Sequence, residues 1–272
     1  MSSVHEPGPR DERIERLLDL QGPDGSWGVG VYDADDWNST TDALWLLHEL
    51  GASIEDDRVR SAVEAVHERV RWEARNGGRP FFAGETEACV NGRVLTLGAR
   101  FGHPDAALAD RLVGEQLDDG GWNCDAPTSS RGSFHSTICV LEGLLAVERT
   151  TDAGAAVREA RRRGEEYLLQ RGLLRSASDG RLLDEAWLVP HVPAYWCYDV
   201  LRGLDHLRAA GAAPDGRIGE AVAALRLARR ADGSWTAATP LPGRQVIEIE
   251  PPGGPSPITT ARALRVLAWA GV

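Results

Sequence analysis

The sequence has no lysine: all 30 of its basic residues are arginine, against 41 acidic residues. A chain without lysine has no residue for a Schiff base and none for the phosphate-binding position of a Walker motif. The sequence therefore argues against pyridoxal-phosphate chemistry and against Walker-type nucleotide hydrolysis. No GxGxxG segment follows a strand-like run, which argues against a dinucleotide site as well.

Excess positive charge and long apolar runs are also missing. A formal net charge of −11 argues against a nucleic-acid partner, because phosphate binding depends on cationic side chains. No apolar run approaches the roughly 20 residues of a membrane span, and the polar first 16 residues contain no signal-peptide core. We therefore expect a cytoplasmic protein with no membrane span. Its four cysteines are expected to be thiols or metal ligands rather than disulfides.

What the chain does contain is an internal repeat. LLDLQGPDGSW ends at Trp27, VGEQLDDGGW ends at Trp122 and RLARRADGSW ends at Trp235. The residue six positions before the tryptophan is glutamine in the first two segments and arginine in the third. The glycine of each segment suits the C-cap of a helix, where a positive φ is needed. Each segment is therefore predicted to close one helix and lead into another.

Two kinds of helix alternate along the sequence. Stretches of small and apolar residues begin near residues 38, 88, 134, 195 and 257, and these are predicted to be buried inner helices. The stretches 56–73, 104–116, 155–170 and 215–230 are charged on one face and are predicted to be outer helices. Such pairs can curl into a ring. The predicted fold class is all-α, an (α/α) toroid of about five outer–inner helix pairs forming a single domain over residues 1–272, with an open helical solenoid as the alternative.

The Gln-x-x-x-Gly-x-Trp element resembles the repeat of squalene–hopene cyclases and of protein prenyltransferase β-subunits. The resemblance covers nearly the whole chain and is that of a small, bacterial-type, single-domain member. The segment Gly120–Leu145 resembles the prenyltransferase segment that lies among the zinc-site elements, which implies His135 as a zinc ligand. Glu87-Ala88-Cys89 resembles the Asp-x-Cys zinc pair of that family, with glutamate in place of aspartate.

An alignment of the predicted inner helices places Cys89 and His135 at equivalent positions on consecutive helices. Neighbouring helices pack about 8–10 Å apart, so the two side chains can share one metal ion. Together with Glu87 they would form a catalytic-type Zn²⁺ site with an open fourth position. The alternative is that Cys89 is a small buried hydrophobe and His135 a hydrogen-bonded core residue. Cys124 and Asp125 are either further ligands or loop residues.

A second resemblance concerns the acidic string Asp33-Ala34-Asp35-Asp36, which matches the Asp-x-Asp-Asp acid motif of class II terpene cyclases. The match implies Asp33, Asp35 and Asp36 as the catalytic acid group. A protonating carboxyl needs a raised pKa, which a second carboxylate can supply. The alternative is a solvated acidic turn before a helix.

Aromatic and polar residues at the starts of the inner helices are predicted to line a central cavity. The predicted substrate-pocket residues are Trp37, Asn38, Trp45, Arg93, Phe134, Tyr195, Trp196 and Tyr198. Arg93 would bind an anionic group or pair with an inner-helix acid. Aromatic faces stabilise carbocations, although buried aromatics also serve simply as core.

These observations favour an enzyme that acts on an isoprenoid-like or other apolar small molecule. The leading interpretation is prenyltransferase-like with a zinc site. An acid-initiated terpene cyclase-like enzyme and a non-catalytic binding or scaffold toroid are the alternatives. Nothing in the sequence indicates an oligomeric state.

Overall fold

The computed structural model describes residues 11–28 and 36–272. Residue contacts divide the described chain into two compact units. The first consists of the described residues up to Arg71 together with Pro242–Ile249, and the second of Trp72–Leu241 with Glu250–Val272. The expectation of one domain over residues 1–272 stays a prediction.

The first unit contains three helices: α1 (Glu12–Leu18), α2 (Thr40–Glu49) and α3 (Asp57–Arg69). Ser39 and Asp42 form a reciprocal capping box at the start of α2, which satisfies backbone N–H groups that would otherwise lack partners. Residues 40–47 of α2 are all buried, whereas α3 buries only its valine and alanine face. α2 is therefore an inner-type helix and α3 an outer-type helix, as predicted.

The second unit contains seven α-helices in its described residues. They are α4 (Ala88–Arg100), α5 (Ala106–Gly114), α6 (Phe134–Thr150), α7 (Ala155–Leu169), α8 (Val200–Ala209), α9 (Gly219–Leu227) and α10 (Pro257–Trp269). Short 3₁₀ turns lie at Ala74–Asn76, Phe81–Ala83, Glu185–Leu188 and Gly216–Ile218. The strand content of the described chain is one antiparallel pair, β1 (Trp235–Thr236) and β2 (Pro255–Ser256). The predicted all-α class is confirmed.

Helices α4 and α6 are in backbone contact. A Cβ atom on Gly92 of α4 would overlap the carbonyl group of Cys139, and one on Gly143 of α6 would lie 2.6 Å from the carbonyl oxygen of Gly92. Side chains at these two positions would force the helices apart, so the glycines fix their separation. This contact places the start of α4 beside the start of α6.

The repeated segments form the same set of hydrogen bonds wherever they occur. The indole N–H of the repeat tryptophan donates to the carbonyl ten residues earlier: Trp27 to Leu17, Trp122 to Leu112 and Trp235 to Leu225, at 2.8, 2.6 and 2.9 Å. All three tryptophans are buried. The backbone N–H of each tryptophan also donates to a threonine hydroxyl of the following inner helix.

The repeat glutamines join each turn to an outer helix. The amide of Gln21 donates to the carbonyl oxygens of Gly25 and Arg58, at 3.1 and 2.9 Å. Gln116 donates in the same way to Gly120 and Ala160, at 2.8 Å each. Arg58 lies on α3 and Ala160 on α7. The glutamine therefore has a structural role that its position in the repeat alone did not reveal.

Four of the five predicted inner helices begin near the predicted positions, and the fourth along the chain does not. α2, α4, α6 and α10 begin at residues 40, 88, 134 and 257. The prediction of a start near residue 195 is wrong, because Tyr195 adopts a left-handed φ of 44° and Asp199 caps a helix that begins at Val200. Among the described helices, none has the length and apolar character that crossing a bilayer requires.

Candidate functional site

Aromatic rings meet at the N-terminal ends of α6 and α8 in the second unit. The ring of Phe134 lies 4.8 Å from that of Trp187, 4.9 Å from that of Tyr198 and 5.6 Å from that of Tyr167. Tyr198 is fixed by a hydrogen bond of 2.8 Å from its hydroxyl to the carbonyl of Leu173. The predicted pocket residues Phe134 and Tyr198 are thus brought together.

The His135 side chain packs beside this cluster. Its Nδ1 accepts a hydrogen bond of 2.9 Å from the backbone N–H of Tyr198, and its ring packs against Trp187 and Trp196. Burial, with a smaller effect from the charge of Arg202, lowers the pKa of His135. The imidazole is therefore neutral at pH 7 and carries its proton on Nε2, because Nδ1 acts as the acceptor.

A cavity of about 550 Å³ opens onto the rings of Phe134, His135, Tyr167 and Trp187. Its apolar wall includes Phe134, Tyr167, Trp187 and Leu183, and its polar wall includes His135, Asp119, Arg131, Arg171, Ser176 and Ser178. Its volume lies within the roughly 300–1,000 Å³ of small-molecule sites. The indole N–H of Trp187 is buried and has no hydrogen-bond partner among the described residues. The cavity thus combines aromatic walls with a few polar groups.

Arg202 of α8 forms an ion pair with Glu142 of α6. Its Nε and Nη2 donate to the Glu142 carboxylate at 2.8 and 2.6 Å, and its Nη1 donates to the carbonyls of Tyr195 and Cys197. Burial favours a higher pKa for Glu142, but the charge and hydrogen bonds of Arg202, with smaller effects from His206 and Arg262, together outweigh it and lower the pKa. Sequence reasoning missed Glu142, whose signal was a single carboxylate within the apolar run ICVLEGLL.

Arg93 of α4 lies beside Tyr195, which precedes α8. The Arg93 guanidinium carbon is 5.6 Å from the centre of the Tyr195 ring, a cation–π arrangement. Trp196 is the most exposed of the predicted pocket aromatics, at 38%. Tyr167 and Trp187 were missed by sequence reasoning, because one lies on a charged outer helix and the other in a stretch where the repeat is degenerate.

Comparisons with solved structures identify the fold. The type II terpene cyclase MstE from Scytonema, without ligand, matches with a TM-score of 0.50 and 20% identity, over 95% of this chain and 81% of that chain. This chain has the fold of a type II terpene cyclase. An MstE variant in complex with its substrate, geranylgeranyl dihydroxybenzoate, has a TM-score of 0.48 at 21% identity, covering 94% of this chain and 79% of that one. A protein from Actinoplanes has a TM-score of 0.47 at 21% identity, covering 95% and 82%. No protein-family model and no curated protein matches the sequence.

Within this terpene cyclase fold, the predicted zinc ligands do not assemble as expected. Among the described residues, Glu87, Cys89 and Cys124 form the group whose ligand atoms lie within 4.8 Å of one another. His135 is not a member of that group, and its Nδ1 is occupied by the N–H of Tyr198. Hydrogen bonding from Cys89 lowers the pKa of Cys124, and burial raises that of Glu87.

Of the predicted acid group, Asp36 is described and lies in the first unit. Asp33 and Asp35 lie outside the described residues. Asp36 accepts hydrogen bonds from the backbone N–H, Nε and Nη2 of Arg244 at 2.8, 2.8 and 2.6 Å. These bonds lower the pKa of Asp36, so this carboxylate is ionised at neutral pH.

The remaining predicted pocket residues also lie in the first unit. The Trp37 indole donates to the carbonyl of Pro242, and its backbone pairs with Arg244 and Val246. Trp37 and Trp45 are buried, and Asn38 is half-buried. Residues Pro242–Ile249 therefore hold the segment that follows the acidic string.

Proposed function

We propose that this chain is a terpene cyclase-like enzyme that acts on an isoprenoid-like or similarly apolar small molecule. The observation that carries the proposal is the aromatic cavity of about 550 Å³ in a chain with the type II terpene cyclase fold. MstE, which shares that fold, binds geranylgeranyl dihydroxybenzoate as substrate. An apolar chain matches the aromatic walls, and the arginine and serine side chains would bind a polar head group.

The rings at the cavity suit a reaction that passes through carbocations. A cation near the face of Trp, Tyr or Phe is stabilised by roughly 0.5–2 kcal/mol per ring. Phe134, Tyr167 and Trp187 each offer a ring at the cavity wall. His135 adds an N–H and no free lone pair at Nδ1, so it would position a polar group rather than remove a proton.

For the acid we propose the string Asp33, Asp35 and Asp36. Cyclisation would begin when a carboxyl proton adds to a terminal carbon–carbon double bond, and would end when the last cation loses a proton. The product would then be an isomer of the substrate. Asp36, kept anionic by Arg244, would raise the pKa of a neighbouring carboxyl and so favour its protonated form.

The second candidate function is prenyltransferase-like and depends on zinc. The observation that favours it is the thiol–carboxylate group of Glu87, Cys89 and Cys124. A zinc ion held there would activate a nucleophile or polarise an oxygen. A non-catalytic binding protein is the third possibility.

One experiment distinguishes the three candidate functions. Purified protein is incubated with a geranylgeranylated hydroxybenzoate and, separately, with geranylgeranyl diphosphate plus a thiol or phenol acceptor, and products are resolved by mass spectrometry. An isomer of unchanged mass supports the cyclase. A prenylated acceptor with released diphosphate supports the transferase. Tight binding without turnover would support a binding protein and contradict the proposal.

The acid is tested by Asp35→Asn and Asp36→Asn in the same assay. We expect both variants to lose turnover while keeping the wild-type circular dichroism. Asp110→Asn, on the exposed face of α5, is the control and should retain full activity. Wild-type rates in both string variants would remove the string from the mechanism.

A further inference from the structure

Three potential metal ligands converge where the start of α4 meets the loop after Trp122. Glu87 precedes the first residue of α4, Cys89 is its second residue, and Cys124 lies two residues beyond the repeat tryptophan. The Cys89 Sγ is 3.8 Å from a Glu87 carboxylate oxygen, and all three ligand atoms lie within 4.8 Å of one another. The glycine contact holds α6 against α4, and the backbone N–H of Cys124 donates to the Ser136 hydroxyl of α6 at 3.3 Å, which ties the loop to the same place.

The Cys89–Glu87 separation of 3.8 Å matches the ligand spacing of a tetrahedral transition-metal site, and the remaining separations are at most 4.8 Å. With Zn–S near ~2.3 Å and Zn–O near ~2.0–2.2 Å, the ligand atoms of one zinc ion are about 3.5–3.8 Å apart. The three side chains need little movement to reach that geometry. Their partial exposure also leaves a path by which an ion can enter.

The surrounding hydrogen bonds suit a thiolate at Cys124. The backbone N–H of Cys89 donates to the Sγ of Cys124 at 3.3 Å, and the hydroxyl of Ser136 lies 3.2 Å from the same Cys124 sulfur. Donors of this kind orient a metal-bound thiolate and stabilise its charge. A cavity of about 310 Å³, lined by Cys124, Asn123, Thr86, Ala88 and Pro127 among others, adjoins the cluster.

We propose that Glu87, Cys89 and Cys124 bind one divalent ion of the zinc class, with a fourth position open to this second cavity. Two thiolates and one carboxylate favour zinc over magnesium or calcium. Three protein ligands with an exchangeable position are typical of a catalytic rather than a structural zinc site. Cys124 takes the place that the prenyltransferase resemblance gave to His135, whose Nδ1 already accepts the Tyr198 N–H.

The test is a Co²⁺ titration of the reduced full-length chain, followed by the thiolate-to-cobalt charge-transfer band. Wild type should bind one equivalent of Co²⁺, and its charge-transfer band should have the intensity expected for two thiolate ligands. Cys89→Ser and Cys124→Ser should each lose about half of the band intensity. Their affinity should fall by more than the roughly 10–100-fold that follows loss of an outer hydrogen-bonding partner. Glu87→Gln should weaken binding and keep the band.

Two controls decide which residues are ligands. His135→Asn and Cys197→Ser should retain both band and affinity, since neither belongs to the cluster. An unchanged band in Cys124→Ser, a lost band in His135→Asn, or no binding by wild type would each overturn the proposal.

A second measurement does not depend on the folding of variants. In wild type, Zn²⁺ should slow alkylation of Cys89 and Cys124 by iodoacetamide, with peptide mapping to locate the label, and equal rates with and without Zn²⁺ would contradict the site. Failure of the metal site can be told apart from failure of the proposed cyclase activity. The metal site is followed by alkylation, whereas cyclase activity is followed by product formation in protein treated with a chelator.

Discussion

At the scale of single residues, the ion pair Arg202–Glu142 is predicted to contribute to the free energy of unfolding. The Arg202 side chain is 1% exposed and that of Glu142 24% exposed. Glu142→Gln would leave a buried guanidinium without its counter-charge, so we expect a loss of roughly 3 kcal/mol in the free energy of unfolding at pH 7. Urea denaturation of wild type and variant measures this loss. Glu166→Gln, which breaks an exposed pair with Arg217, should cost less than about 1 kcal/mol.

The same pair gives a pH dependence with a definite sign. Because the folded-state pKa of Glu142 is lowered, its contribution is present above the unfolded-state pKa and is lost as the pH falls through the folded-state value. The stability gap between wild type and Glu142→Gln should therefore narrow below about pH 4. A gap that stays constant from pH 7 to pH 3 would contradict the ion-pair assignment.

At the scale of helices, the backbone contact of α4 with α6 predicts that alanine is harmful where helix propensity favours it. Gly92→Ala adds a methyl group that overlaps the Cys139 carbonyl, so we expect a net loss of roughly 2–3 kcal/mol. Gly114→Ala in α5 meets no atom within 4 Å and should be neutral or gain up to about 1 kcal/mol. Thermal melting of the two variants compares them directly. Equal melting temperatures would mean that the helices can separate without cost.

The link between a repeat turn and its outer helix is tested by Gln116→Ala. The variant removes the side-chain donor to the carbonyl oxygens of Gly120 and Ala160, so we expect a loss of about 1–3 kcal/mol in unfolding free energy. Gln170→Ala, which removes an exposed contact to Glu166, is the matched control and should change little. Similar losses in both variants would show that the repeat glutamine has no special role.

Helix type was predictable, whereas the exact ends and partners were not. Small and apolar composition separated inner from outer helices, because burial on most faces excludes charge. The start of α8 was misplaced because the run of aromatics before Val200 reads as helical, and only the three-dimensional structure shows the left-handed Tyr195. Glu87 and Cys89 were predicted together because Glu87-Ala88-Cys89 resembles the Asp-x-Cys zinc pair of the prenyltransferases. Cys124 was left open as a ligand, since a loop residue has no periodicity that fixes its direction.

At the scale of the whole molecule, the net charge predicts which partners the protein does not bind. With a net charge of −11, the chain should not bind polyanions even at low salt. Fluorescence anisotropy with labelled single- and double-stranded DNA at 20 to 50 mM salt, about the low end of usual conditions, checks this. Salt-dependent binding in the micromolar range would reveal a basic surface that composition conceals.

The repeated tryptophan contact also provides spectroscopic probes of unfolding within the chain. Three of the nine tryptophans share one environment, a buried indole whose N–H donates to the carbonyl ten residues earlier. Fluorine-labelled tryptophan would give each indole its own resonance, assignable from single Trp→Phe variants. Trp27 then reports on the first compact unit, and Trp122 and Trp235 on the second. During denaturation, simultaneous loss of the three signals would mean one cooperative transition, and an early loss of Trp27 would mean that the first unit melts alone.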